Sequence, residues 1–246
     1  MATKVSMWTM RSLLIVPADS LSDFERALAS EADGLAIDLA CGGAATSPEI
    51  LAQRRESAAR MIGMARDAGK ICLAQIHPLP SGLADADLDI VMPAQPDGIV
   101  LPQAIGGRDV QHLGAKLAVR EAENGLDDGY AKILALGGDS PAALFELNSF
   151  PRATRRLIGI GRDEKALAQA LGVAVGAGSE PLRVARSLCL FAAAAAGAPA
   201  YDCSEDSAGE DFVQACAAAA RDGFAGKLAR NIQQVATINA AFAPRK

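Results

Sequence analysis

Acidic and amide side chains recur just past short apolar runs along this chain. In order they are Asp19, Asp38 with Cys41 close behind, Gln75 and His77, Gln103, Asp139, Asp163 with Glu164, and Asp202. Carboxylates gathered in one place suit two kinds of chemistry. One is Mg²⁺ binding, which takes one or two protein carboxylates and leaves positions for water and substrate oxygens. The other is an acid/base pair. His77, one of only two histidines, could serve as a general base or ligate a metal with Asp139. Each residue alone has a plainer reading. An Asp after a strand usually caps the next helix, and a hydrogen-bonded histidine without a catalytic role is equally ordinary. His112 lies in a polar helical stretch and reads as solvated. Cys41 reads as packing, because no local pattern supplies a base or lowers its pKa.

Whether these residues meet depends on the elements between them. Apolar runs at Ser12–Pro17, Gly34–Leu39, Lys70–Ile76, Gly98–Pro102, Ala131–Leu136, Arg156–Ile160 and Pro199–Asp202, with a weaker one near Phe224–Leu228, predict eight strands. Several are continuous rather than alternating, as strands buried on both faces should be. Helix signals separate them: Ser22 with Glu25 as a capping box, Ser47-Pro48-Glu49, Ser140-Pro141, Ser179-Glu180-Pro181 ahead of an alanine-rich run ending at Gly197, and Asn231 before a last stretch. Strands alternating with helices allow a closed barrel or an open doubly wound sheet. Pro17-Ala18-Asp19 lacks the glycine fingerprint of the nucleotide-binding open sheet, Gly159-Ile160-Gly161 has no third glycine, and Gly226-Lys227-Leu228 is not a phosphate loop. The expectation is an α/β chain folded as a single (β/α)8 TIM barrel over residues 1–246, with the acids at its mouth, where such barrels do their chemistry.

Composition narrows the partners. The chain has 246 residues, half of them hydrophobic and 4% aromatic, with a net charge of −5. That length suits one such barrel and needs no disulfide or metal staple. The acidic balance argues against nucleic acid and anionic membranes. Five cysteines, odd in number and without C-x-x-C spacing, point to a reducing compartment. The apolar run Leu13–Pro17 is too short for a leader core or a membrane span. A soluble, cytoplasmic protein is expected.

Three strand segments carry a resemblance: Arg11-Ser12-Leu13-Leu14-Ile15-Val16-Pro17, Gly34-Leu35-Ala36-Ile37-Asp38-Leu39 and Gly98-Ile99-Val100-Leu101-Pro102. With Ala185-Arg186-Ser187, Gly197 through Asp202, Asp222 through Lys227 and Ile238 through Pro244, they resemble the citrate lyase β-subunit-like HpcH/HpaI aldolase family. The resemblance implies a (β/α)8 barrel that cleaves or forms carbon–carbon bonds in oxo and hydroxy acids or their CoA thioesters, with Mg²⁺. Set beside that family, the candidate roles are Asp38 and His77 as catalytic groups, Arg11, Gln75 and Pro102 as substrate contacts, and Asp139, Asp163 and Glu164, which lie next to the family's metal positions, as Mg²⁺ ligands.

The departures fall on the chemistry. The family's Asp-Leu-Glu-Asp is Asp38-Leu39-Ala40-Cys41 here. Its strand-three arginine corresponds to Gln75, and a nearby asparagine to His77. Its metal glutamate falls at Gly138, its metal aspartate is displaced by about two residues around Asp163, and its Ile-His-Pro is Ala229-Arg230-Asn231. Truncating contacts of this kind costs about 2–5 kcal/mol each in binding. The expected activity is therefore that of a divergent lyase acting on a small oxo or hydroxy acid, with a non-catalytic paralogue that binds a metabolite or partners another subunit as the alternative. The stop near Pro244 leads to the expectation of a free acid rather than an acyl-CoA. The resemblance also implies a homo-oligomer, a trimer or a hexamer. A helix around 231–243, striped by Ile232, Val235, Ile238 and Phe242, could pack on a neighbour, and the cations Arg230, Arg245 and Lys246 add to that expectation.

Overall fold

The computed structural model describes residues 10–41, 47–175, 179–203 and 209–244, so expectations on the first nine residues and on Arg245 and Lys246 lie outside it. Eight parallel strands follow one another around a closed barrel. They are β1 (Ser12–Pro17), β2 (Gly34–Asp38), β3 (Ile71–Gln75), β4 (Gly98–Ala104), β5 (Lys132–Gly137), β6 (Leu157–Gly161), β7 (Ala200–Cys203) and β8 (Gly226–Ala229). Closure comes from β1 against β8, with Ser12 opposite Lys227 and Leu14 opposite Ala229.

The continuous apolar runs are explained by two cores. Met10, Leu13, Leu73, Leu134, Tyr201 and Leu228 fill the barrel interior. Alternate residues such as Leu14, Leu35, Ile37 and Ile99 face outward into the helical layer. At Gly159 a Cβ would lie 2.6 Å from the Tyr201 ring and 2.8 Å from Leu134, so the interior closes around Tyr201 only because β6 has glycine there.

The helices are α1 (Leu21–Leu28), α2 (Pro48–Asp67), α3 (Ala84–Val91), α4 (Gly107–Glu123), α5 (Pro141–Glu146), α6 (Glu164–Leu171), α7 (Glu180–Ala196), α8 (Glu210–Asp222) and α9 (Gln233–Ala241). Ser47 and Ser140 cap α2 and α5 through their side chains, as their spacing with proline predicted. The first cap is corrected: Ser20, not Ser22, accepts the Asp23 amide, starting α1 earlier. Asn231 is not the last cap either, because Ile232 precedes α9 and no side chain caps it. Among the described residues no helix is long and apolar enough to cross a membrane.

The α9 stripe is used within the chain. Val235 and Ile238 are buried in the shared core, and Ile232 and Phe242 pack against it. Asn239 accepts from Ser12 Oγ at 2.8 Å and donates to the Glu31 carbonyl at 2.8 Å, fastening the helix to β1. The stripe by itself therefore calls for no neighbouring subunit.

Candidate active site at the barrel mouth

Two strand ends bring three predicted residues together. Asp38 closes β2 and Gln75 closes β3, and the two are paired in register. Each lies two residues past an interior position, Ala36 and Leu73, so both point to the inner side of the mouth. Gln75 donates a hydrogen bond to Asp38. Burial pushes the Asp38 carboxyl above its usual range, opposed by bonds from the Ala40 amide and Gln75 and by the charges of His77 and Arg230. Gln75 Oε1 is buried and has no hydrogen-bond partner among the described residues, so it is able to accept from a bound ligand.

His77 follows two residues later and is itself buried. Its backbone N–H donates to Asp87 Oδ2 at 2.8 Å, and its Nδ1 lies 2.7 Å from the same oxygen. Asp87, on α3, is fully buried and also accepts from Arg55 Nε at 2.8 Å. A carboxylate facing Nδ1 fixes the tautomer with the proton there, leaving Nε2 as the basic nitrogen. Asp87 and Arg55 were not anticipated. The only sequence signal was an aspartate ten residues after the histidine, in a helix that the apolar pattern did not mark.

A second group lies across the mouth. Asp139, after β5, is buried, and its carboxyl is pushed up to about 6 by burial and by the charge of Asp163, against bonds from its own amide and that of Gln103. Asp163 caps α6, its Oδ1 accepting from the Lys165 and Ala166 amides at 3.0 and 3.2 Å, and Arg230 Nη2 stands 3.4 Å from the same oxygen. Arg230 immediately follows β8 and acts electrostatically on Asp38 as well. In the sequence it stands out as surplus positive charge and as the residue in place of the family's histidine in Ile-His-Pro.

The remaining expectations are placed elsewhere. Glu164 turns away from Asp163 to pair with Arg162 and accept from Cys203 Sγ at 3.8 Å. Asp202 is also outside the mouth, buried in the helical layer against Arg162, Arg186 and Lys227. Arg11 precedes β1 at the opposite end of the barrel, where Asp33 holds it at 2.6 Å, so it does not reach the mouth. Pro102 is partly buried at the mouth end of β4 but brings no donor. Asp19 is held by Arg54 at 3.0 Å. Burial and the carboxylates of Asp38 and Asp19 push the Cys41 thiol up, away from a reactive thiolate. His112 is exposed on α4.

No family profile matches the chain. The citrate lyase β subunit of Haemophilus influenzae is 26% identical over 240 residues, covering 95% of this chain and 80% of that protein. The chain is a distant homologue of the citrate lyase β subunit. Among solved structures, the citrate lyase β subunit from M. tuberculosis, complexed with oxaloacetate and magnesium, superposes with a TM-score of 0.73 at 20% identity, covering 95% of this chain and 97% of that one. A Haloferax volcanii malate synthase, as its lead(II) complex, gives 0.81 at 19% identity, covering 96% and 74%. These superpositions establish the barrel.

The Mg²⁺ that the resemblance implies finds no adequate set of donors among the described residues. Among the described residues no group of three or more His, Cys, Asp or Glu side chains is placed to hold a metal. Gly138, where the resemblance puts a metal glutamate, has φ +77°, and a Cβ there would lie 2.6 Å from Cys189 Sγ, against the helical layer rather than in the mouth. Glu164 faces the wrong way, and the guanidinium of Arg230 already stands beside Asp163. The described residues do not fit a Mg²⁺ site of the kind expected.

Proposed function

We propose that this barrel cleaves a carbon–carbon bond in a small hydroxy or oxo acid bound at its mouth, with His77 as the base. The observation that supports this reading is the buried chain Arg55–Asp87–His77 ending beside Asp38 and Gln75. An orienting carboxylate behind a histidine is the arrangement a general base needs. The substrate hydroxyl donates to His77 Nε2, and Arg230 pairs with the substrate carboxylate. His77 Nε2 takes the hydroxyl proton, the carbon–carbon bond breaks to leave a carbonyl on one fragment, and the electron pair passes to the α-carbon of the other. Asp139, with its carboxyl near 6, supplies the proton that quenches that carbanion.

The test is turnover of a panel of four- to six-carbon hydroxy and oxo acids, oxaloacetate included, followed by NMR with and without Mg²⁺. Cleavage of one of them that is lost in His77→Gln supports the lyase. The orientation of Gly138 and Glu164 favours a second reading, a barrel that binds such an acid without cleaving it. Saturable binding of an acid with no turnover in any condition establishes that reading and rejects the lyase.

A further inference from the structure

Outside the barrel wall, between the N-terminal halves of α7 and α8, lies a cavity of about 680 Å³. Helix α8 packs mainly on α9, which leaves the cleft beside α7 open. Its floor is Asp202 of β7 and Lys227 of β8. Exposed Arg183 and Asp211 stand at its rim.

The floor carries one carboxylate for three cations. Asp202 accepts from Arg162 Nε at 2.8 Å and from Arg186 Nε at 3.2 Å, while Lys227 Nζ stands 3.4 Å away. Burial raises the Asp202 carboxyl, but these three charges win and hold it at about 2. Each arginine has a second carboxylate: Glu164 for Arg162 and Asp222, at 2.7 Å, for Arg186. Lys227 does not. It is only 3% exposed, and among the described residues its Nζ reaches one acceptor, at the far limit of a hydrogen bond. The Phe212 ring lies 5.7 Å from it. An ammonium has three donors, and leaving them unmet in a buried place is costly.

We propose that this cleft is a binding site for a small monocarboxylate with a short apolar body, its carboxylate on Lys227 and its body against Phe212 and Ala215. Lys227 Nζ has donor positions left for one carboxylate, whereas the two guanidinia share Asp202 and each hold a further carboxylate of their own. A dianionic phosphate would bring a second negative charge against Asp202 and Glu164. The apolar wall that Phe212, Ala215 and Ala218 of α8 provide suits a short hydrocarbon chain. Strands β6 to β8 separate this cleft from the mouth, so the two sites are independent.

Hexanoate is the probe, titrated into the full chain and followed by ligand-observed NMR. Ala215→Trp fills the cleft from an exposed helical position without touching a charge, Lys227→Met removes the cation, and His77→Ala alters only the mouth. The expected result is saturable binding by the wild type, weakened about tenfold or more by Ala215→Trp and by Lys227→Met, unchanged in His77→Ala and not displaced by inorganic phosphate. If Lys227→Met fails to fold, Ala215→Trp decides. No saturable binding by the wild type, unaltered binding in Ala215→Trp, loss in His77→Ala, or displacement by phosphate would each overturn the assignment.

Discussion

Asp163 and Glu164 are consecutive in the chain, yet their carboxylates serve opposite sides of the barrel wall. Asp163 caps α6 and faces Arg230 at the mouth, whereas Glu164 joins Arg162 and Cys203 in the helical layer. A ligand pair made from both would require one of them to abandon its partners. Calorimetric titration with Mg²⁺ is therefore expected to give the same result for the wild type and Glu164→Gln. Arg230→Ala, which uncovers Asp163, is expected to strengthen Mg²⁺ binding. A loss of Mg²⁺ binding specific to Glu164→Gln would put that residue in a metal site.

Asp139 makes stability depend on pH with an unusual sign for a carboxylate. Its folded pKa, about 6, lies above the 3.8 of the unfolded chain, so the folded state binds the extra proton. The contribution is fully present below about pH 4 and is lost as pH rises through about 6, to a total of about 3 kcal/mol at neutral pH. Asp139→Asn should therefore stabilise the protein by about 1–3 kcal/mol at pH 7.5. Urea unfolding should show that advantage shrinking by about 2 kcal/mol at pH 4.5. An advantage of equal size at both pH values would mean that Asp139 is not the group concerned.

If His77 is the base, its removal by His77→Gln should slow turnover by about 10²–10⁴-fold. Asp87 acts through His77, so Asp87→Asn is expected to lower kcat and to move the acidic limb of the pH–rate profile, the limb that a general base sets. A fall in rate with an unmoved profile would reduce Asp87 to a packing role.

Stability at the other end of the barrel rests on Glu121 of α4. It is fully buried and accepts from Arg156 at 2.5 and 2.7 Å and from the amides of Ala131 and Gly129 at 2.8 and 3.0 Å. Glu121→Ala leaves both amides without their acceptor and the Arg156 guanidinium with only the exposed Asp128 carboxylate and the Ala131 carbonyl. Denaturant unfolding should report a loss of about 3–5 kcal/mol, with no change in ligand binding at the distant mouth.

The strands were readable because a parallel barrel buries both faces, which writes each strand as an unbroken apolar run. Ser12–Pro17 matches β1 residue for residue, and the run expected to end at Leu39 stops one residue earlier, at Asp38. The mouth was readable only where a residue's place follows from counting along a strand, as for Asp38 and Gln75. Beyond the strand end that counting fails. Gly138 takes a left-handed turn and resets the direction of Asp139, while Arg162 continues the outward face of β6 and draws Glu164 with it. Arg11 was misplaced because it abuts a recognisable strand at the end away from the mouth, where Asp33 claims it. Asp87 and Arg55 reach the site from helices, and nothing in the local spacing ties either to His77.

Strand β4 slips in register against β5 between Leu101 and Ala104, and within that slip Gln103 has φ 53°. Its backbone amide is thereby released to bond Asp139. What the mouth takes from residue 103 is thus an N–H that every amino acid but proline carries, held in a conformation that asparagine and glycine accept readily and β-branched residues resist. Substitution there is filtered by backbone shape, not by the chemistry of the side chain. Gln103→Gly should keep the acidity of Asp139, and Gln103→Pro should lose it.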